Sequence, residues 1–161
     1  MSVTATLKLM LNAIETLAVA DTPAAQEREI AHDGWNQSIS LSATSTPPID
    51  VVAAIELTGA SGTIDLTVLD QVAGTVDCTG KKLVGLMLSN PNTTGRVVLK
   101  PGALNPYPVN GTGTSDVINA EPKGGSVFYN DAAFAVVGGS AKNLDWTNAG
   151  SVAGQLILLF G

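Results

Sequence analysis

The chain has 161 residues, 45% of them hydrophobic and only 14% charged, with a formal net charge of −6 at pH 7. That length suits one domain with a real core, and a charged share well below the usual ~25% leaves Thr, Ser, Asn and Gly to carry the surface. Lys and Arg are scattered, adjacent only at Lys81-Lys82, so no basic patch neutralises phosphates and a nucleic-acid partner is not expected. A single cysteine, Cys78, excludes an internal disulfide. The opening "MSVTATLKLML" carries no secretion signal, and no apolar run reaches membrane-spanning length. A soluble protein made in a cytoplasm, with no membrane partner, is therefore expected.

In chain order, "TATLKLMLNAIETL" (4–17) fits two patterns. Leu7, Met10, Leu11, Ile14 and Leu17 suit a helical face, while Ala5, Leu7, Leu9 and Leu11 suit a strand. "TPAAQEREIAHDG" (22–34) has Thr22 as a helix cap, Pro23 in the first turn and Gly34 as a stop, the signals of one short helix. Residues 1–34 thus read as an arm or edge strand ahead of the main body. Alternating strands follow at 38–43 (Ile39, Leu41), 54–57 (Ile55, Leu57) and 63–69 (Ile64, Leu66, Val68). "LVGLMLS" (83–89) is apolar on both faces, as a central strand would be; 96–100, 125–130 and 154–160 are further strands. "KPGALNPYPVNGTGT" (100–114) is too rich in Pro and Gly for a strand or helix and reads as a long surface loop. Short strands punctuated by Gly and Pro across residues 1–161 predict one all-β domain, a sandwich or barrel.

Several stretches approach known chemistry and miss it. "GTVDCTGKK" (74–82) puts five residues between Gly74 and Gly80 and Lys82 where a magnesium-binding hydroxyl belongs, so it reads as a turn and not a phosphate loop. His32 is the one histidine, among Glu27, Arg28, Glu29 and Asp33, which suits a solvated surface group better than a triad or metal ligand. No serine stands in a nucleophile-elbow pattern, and Cys78 lacks a cationic sequence neighbour to activate it. An enzyme, a catalytic residue, a cofactor and a bound metal are therefore not expected. Asp116, Asp131 and Asp145 could take up Ca²⁺ at a subunit interface, but their spacing matches no loop motif. Asn36, Asn92 and Asn110 head Asn-x-Ser/Thr tripeptides and read as loop composition. Trp35, Tyr107, Tyr129 and Trp146 are the aromatic candidates for stacking a sugar, with Trp146 better placed near a strand end or an interface. A hairpin joining 54–57 to 63–67 would set Glu56 against Asp65. Opposed like charges destabilise a sheet, so either a cation sits between them or the strands are not paired this way; the second is expected, with the two strands in different sheets.

The order of motifs resembles a family of small virion proteins of tailed bacteriophages. It runs through "GTIDLTVLDQVAGTVDCTGKKLVGLMLSNPN" (62–92), "VVLKPGALNPYPV" (97–109), "EPKGGSVFYN" (121–130) and "NLDWTNAGSVAGQLILLFG" (143–161). In that family a Leu-Asp-Leu stretch and a Gly-Ser-Gly turn precede a terminal apolar strand. Here Trp146 replaces the second Leu, and Ala149-Gly150-Ser151 replaces the turn. Upstream, "DGWNQSISLSAT" (33–44) is similar to the family's Trp-containing start of a strand. The resemblance implies a single antiparallel β-sandwich of the jelly-roll kind with no catalytic residues to carry over. It implies a structural protein of the virion, made in the bacterial host cytoplasm and built into or onto the capsid, with its position (capsid surface, head–tail junction or fibre base) left open. With no constellation for catalysis and few charges, the leading expectation is a capsid decoration or cement protein whose partner is the major capsid protein. The alternative is a receptor- or carbohydrate-binding fibre or spike module.

The chain closes on "GQLILLF" (154–160). Strand alternation sends Leu156, Leu158 and Phe160 to one side, the core, and Gln155, Ile157 and Leu159 to the other. Water is a poor neighbour for Ile157 and Leu159. Both faces are therefore expected to be covered, with the strand either central in its sheet or backed by a neighbouring subunit; a homo-oligomer is expected, with a trimer as the starting assumption and Trp146, Ile157 and Leu159 as interface residues.

Overall fold

The computed structural model of the chain describes residues 3–18, 27–71, 74–109, 117–130 and 134–161. Among them the protein is all-β, without a helix. The strands are β1 (Thr4–Ala18), β2 (Glu27–Ser42), β3 (Val51–Leu57), β4 (Ser61–Asp65), β5 (Leu69–Gln71), β6 (Gly74–Val76), β7 (Leu83–Ser89), β8 (Val97–Pro101), β9 (Ile118–Ala120), β10 (Gly125–Tyr129), β11 (Asn143–Asn148) and β12 (Gly154–Phe160).

The helix expected over 22–34 is absent where the chain is described: residues 27–34 belong to β2, while 22–26 lie outside the described residues. Pairing overrides the local helix signals, because β2 runs antiparallel to β1 from Thr4↔Ser42 to Ala18↔Glu27 with one irregularity between Leu11 and Ala13. The same ladder settles the ambiguity of 4–17 in favour of a strand. The strand expected over 63–69 is also broken. Both the amide and the Oγ1 of Thr67 donate to Asp65 Oδ1, at 2.9 and 2.6 Å. That local side-chain bonding turns the chain between β4 and β5 despite the alternation of Ile64, Leu66 and Val68. The strands at 83–89 and 154–160 fall where alternation and apolar run length put them.

Eight strands form two four-stranded antiparallel sheets, β10-β7-β12-β3 and β4-β11-β8-β9; β1-β2 and β5-β6 are separate two-stranded ribbons. Pairing within the eight is nested. The first strand pairs with the eighth (β3 with β12), the second with the seventh (β4 with β11), the third with the sixth (β7 with β10) and the fourth with the fifth (β8 with β9). The consecutive strands β3 and β4 therefore lie in different sheets, as expected from the charge conflict between Glu56 and Asp65. Asp65 instead meets Lys142 Nζ at 2.6 Å.

Each sheet turns one row of side chains into a common cluster. Ala53, Leu57, Leu86, Leu88, Leu156, Leu158 and Phe160 come from the first sheet, and Ile64, Val97, Leu99, Ile118, Leu144 and Trp146 from the second. Leu156, Leu158 and Phe160 thus enter the core as expected. Trp146 does too, at 7% exposure, with its indole lying over its cross-strand partner Gly62. A Cβ at Gly62 would come within 2.8 Å of the indole nitrogen, so only glycine lets edge strand β4 accept this ring.

The 100–114 segment departs from its expected surface course. Pro101 ends β8, and within the loop Tyr107 and Val109 are wholly buried; residues 110–114 lie outside the described residues. The Tyr107 hydroxyl accepts from the Leu83 amide at 3.1 Å and donates to the Ala135 carbonyl at 2.7 Å. A Pro-rich loop thereby satisfies two backbone groups, one at the start of β7 and one ahead of Val137. At the other end of the sheets Asn90, Asn92 and Asn148 are buried and hydrogen-bonded to one another. They also cap the loop carbonyls of Gly95, Ala120 and Val152.

Tyr107→Phe leaves the Leu83 amide and Ala135 carbonyl buried without their shared partner. The expected cost is about 1–3 kcal/mol with no change of fold, read as a lowered urea midpoint at constant m-value.

Candidate functional site

The two sheets differ on their outward faces. On β4-β11-β8-β9 the outward positions are polar apart from Val98: Thr63, Asp145 and Lys100 form one cross-strand row, and Thr63 Oγ1 donates to Asp145 Oδ1 at 2.7 Å. On β10-β7-β12-β3 a polar row of Gly125, Ser89, Gln155 and Glu56 is followed by two apolar ones. The first is Val127, Met87, Ile157 and Ala54; the second is Tyr129, Gly85, Leu159 and Val52.

The base of the β1–β2 hairpin covers part of this apolar face. Val3, Ala5, Ile39 and Leu41 join Ile49, Val84, Tyr129, Ile157 and Leu159 in a second hydrophobic cluster, distinct from the central core. Leu159 is consequently 5% exposed, by contact within its own chain. The cover is incomplete. Val127 stays 48% exposed and Val52 36%, and a groove of about 460 Å³ opens between Thr4, Thr6, Val52, Met87, Val127 and Ile157. Its walls are apolar and carry no ionisable side chain. It suits burial of aliphatic groups and offers no group for acid–base or nucleophilic chemistry.

The residues singled out in the sequence distribute as follows. Ile157 and Leu159 share the outward face with the groove, whereas Trp146 sits in the central core. Of the aromatic candidates, Tyr107 and Trp146 are core residues, and Tyr129 is half-buried beside the hairpin base. Trp35 and His32 lie on β2, paired with Leu11 and Ala13. Of the three acidic candidates, Asp116 and Asp131 lie outside the described residues, and Asp145 is engaged by Thr63 and by the Ala103 amide at 2.9 Å. Asn92 is a buried network residue, not an exposed loop residue, and Asn110 lies outside the described residues. The groove was legible only as the apolar character of Ile157, Leu159 and Met87. Its other wall comes from residues 4–6, whose proximity depends on the hairpin register.

Cys78 is fully buried beside Leu66, whose carbonyl accepts its amide at 3.1 Å. Burial pushes the thiol up to about 11, against a smaller opposing effect of the Lys81 charge. Asp65 behaves in the opposite sense. Burial raises its pKa, but the bonds from Lys142 and Thr67 and the Lys142 charge together outweigh burial and hold the carboxyl below its usual range.

The chain matches no protein-family model, no curated protein and no solved structure.

Two measurements follow from these titrations. The native Cys78 thiol is expected to resist a soluble disulfide reagent at mildly alkaline pH and to react fully once the chain is unfolded; thiolate, and not thiol, is the attacking species. For Asp65, the depressed pKa contributes stability that is complete above the unfolded value near ~3.9 and is lost as pH falls through the folded one. Lys142→Met therefore lowers the urea midpoint at neutral pH and leaves it nearly unchanged in strong acid. The difference stays below about 1 kcal/mol because the pair is partly solvated.

Proposed function

We propose that the protein is a structural component of a tailed-bacteriophage virion: a decoration or cement protein that binds the major capsid protein on the head. The observation that carries this reading is the apolar outward face of the β10-β7-β12-β3 sheet, partly covered by the hairpin base and otherwise open along Val52, Met87, Val127 and Ile157. An open apolar patch on a chain with so few charges suits permanent assembly. The bacteriophage assignment itself rests on the motif order from residue 62 to 161.

For the fold we propose a two-layer sandwich of the jelly-roll kind, an architecture found among viral capsid and lectin domains. Support comes from the nested pairing of eight strands and from the cluster to which both sheets contribute. The protein acts by cohesion and not by catalysis: several copies bridge neighbouring capsomers and resist the outward pressure of packaged DNA. A net charge of −6 favours the outer surface of the head over the DNA-facing side. We take the protein to be homo-oligomeric there, as a trimer. The sugar-binding alternative is disfavoured because Tyr107 and Trp146, two of its four aromatic candidates, are held in the core.

The test is addition of purified protein to phage heads that lack it. The heads are expected to bind it in a fixed ratio and to withstand heat or chelator treatment better. Heads that neither bind it nor gain resistance overturn the decoration role, and binding on a glycan array would move the protein to the fibre or spike class.

A further inference from the structure

We propose that the outer part of the β1–β2 hairpin of one copy seats in the groove on the β10-β7-β12-β3 sheet of a second copy. This interaction needs nothing but this chain; it gives the apolar face a second copy as its occupant, and the virion assignment then rests on the motif order alone.

The inference begins with register. Directly paired residues on an antiparallel ribbon share a face. The pairs Ala5↔Leu41, Leu7↔Ile39, Leu9↔Gln37 and Leu11↔Trp35 therefore occupy one face of the ribbon, and Thr4↔Ser42, Thr6↔Ser40, Lys8↔Ser38 and Met10↔Asn36 the other. One face is apolar with a single exception, Gln37, and the other is polar with a single exception, Met10. The first residues of the apolar face, Ala5, Ile39 and Leu41, pack onto the outward face of the sheet in their own chain. That contact shows what chemistry this sheet accepts: aliphatic residues at alternate positions of a two-stranded ribbon.

Length supplies the second step. β1 has 15 residues and β2 has 16, so the ribbon runs for about 50 Å at the ordinary rise of a strand. The sheet beneath its base has four strands, none longer than 7 residues. It measures roughly 23 Å along the strands and roughly 15 Å across them. In any orientation a large part of the ribbon lies beyond that sheet. Among the described residues β1 and β2 pair only with each other, and an isolated two-stranded ribbon is marginal in water.

The chain thus holds two apolar surfaces of matching pattern. One is the apolar register face continuing through Leu7, Leu9, Leu11 and Trp35. The other is the groove along Met87, Val127, Val52 and Ile157, which adjoins the region already occupied by the ribbon base. Neither surface places a charge against the other. A second copy of the same chain brings a ribbon whose row has the residue type and spacing already accommodated beside the groove. Exchange of ribbons between copies covers both surfaces at once, in a closed assembly whose copy number is read from its mass.

The experiment uses the full chain. Light scattering on the purified protein is expected to give a multiple of the 16.4 kDa protomer. Leu9→Ser combined with Leu11→Ser is expected to raise the dissociation constant by on the order of a hundredfold, as two buried aliphatic side chains are lost. The circular dichroism spectrum should keep its β character, the urea midpoint should lose its dependence on protein concentration, and Lys8→Ser on the polar face should have no effect. In parallel, chains carrying Leu9→Cys are mixed with differently tagged chains carrying Val127→Cys and oxidised. A disulfide between the two tags is expected, and Lys8→Cys in place of Leu9→Cys should give none. A monomeric wild-type chain overturns the proposal, and so does an assembly that survives the double serine change. If that variant fails to fold, the cross-link decides alone: its absence from an assembled mixture overturns the exchange.

Discussion

The fold depends on β12 being covered from four directions. Its edges are hydrogen-bonded to β3 and β7. One face, Leu156, Leu158 and Phe160, lies in the central cluster, and the other contributes Ile157 and Leu159 to the cluster beneath the hairpin base. A strand buried on both faces must be apolar at nearly every position, and this one departs from that rule only at Gln155, in the polar outward row. The two hydrophobic clusters are therefore the two sides of one seven-residue segment. Loss of packing on either side is transmitted through β12 to the ladder that holds β3 and β7.

The polar interior is arranged to serve this strand system. Asn90, Asn92 and Asn148 join the ends of β7 and β11 to the loop ahead of β12. Asn92 Oδ1 accepts from the Val152 amide at 2.7 Å, and Asn148 Oδ1 from the Gly150 amide at 2.9 Å. Gly150 has to be glycine, because a Cβ there would coincide with the Asn92 side chain. Tyr107 performs the equivalent task at the opposite end. Loops at both ends are held by buried side-chain amides and a phenol, which satisfy backbone groups there.

Strands with a strong period of two, or with a long apolar run, were legible in the sequence. "LVGLMLS" and "GQLILLF" begin and end where those signals do, since burial on both faces leaves no competing arrangement. The stretch 63–69 misled because the alternation of Ile64, Leu66 and Val68 runs across a turn whose cause is one carboxylate, Asp65, bonding to Thr67. Residues 27–34 misled for a different reason: a proline and a glycine at plausible cap positions say nothing about a partner strand that begins 9 residues earlier, at Ala18↔Glu27, and reaches back to Ala13↔His32. The inward course of Tyr107 leaves no local trace, because proline and glycine content reports backbone freedom and not destination. For the candidate site, the outward row of β12 was visible as an apolar face needing cover. That the first cover is the chain's own hairpin base depends on the pairing of Ala5 with Leu41, a long-range register with no local signature.

The nested pairing of the eight strands has a kinetic consequence. β3 and β12 pair although Leu57 and Gly154, at the near ends of the two strands, are separated by almost a hundred residues, and only the innermost pair, β8 with β9, is close in sequence. Contacts so distant along the chain carry a large loop-closure cost before any of them is rewarded, which places such topologies among the slower folders. During synthesis the central sheet lacks its interior strand until β12 has left the ribosome. Up to that moment β3 and β7 present the open edges that β12 later fills, and the nascent chain is most exposed to mispairing with its neighbours in the interval just before β12 arrives.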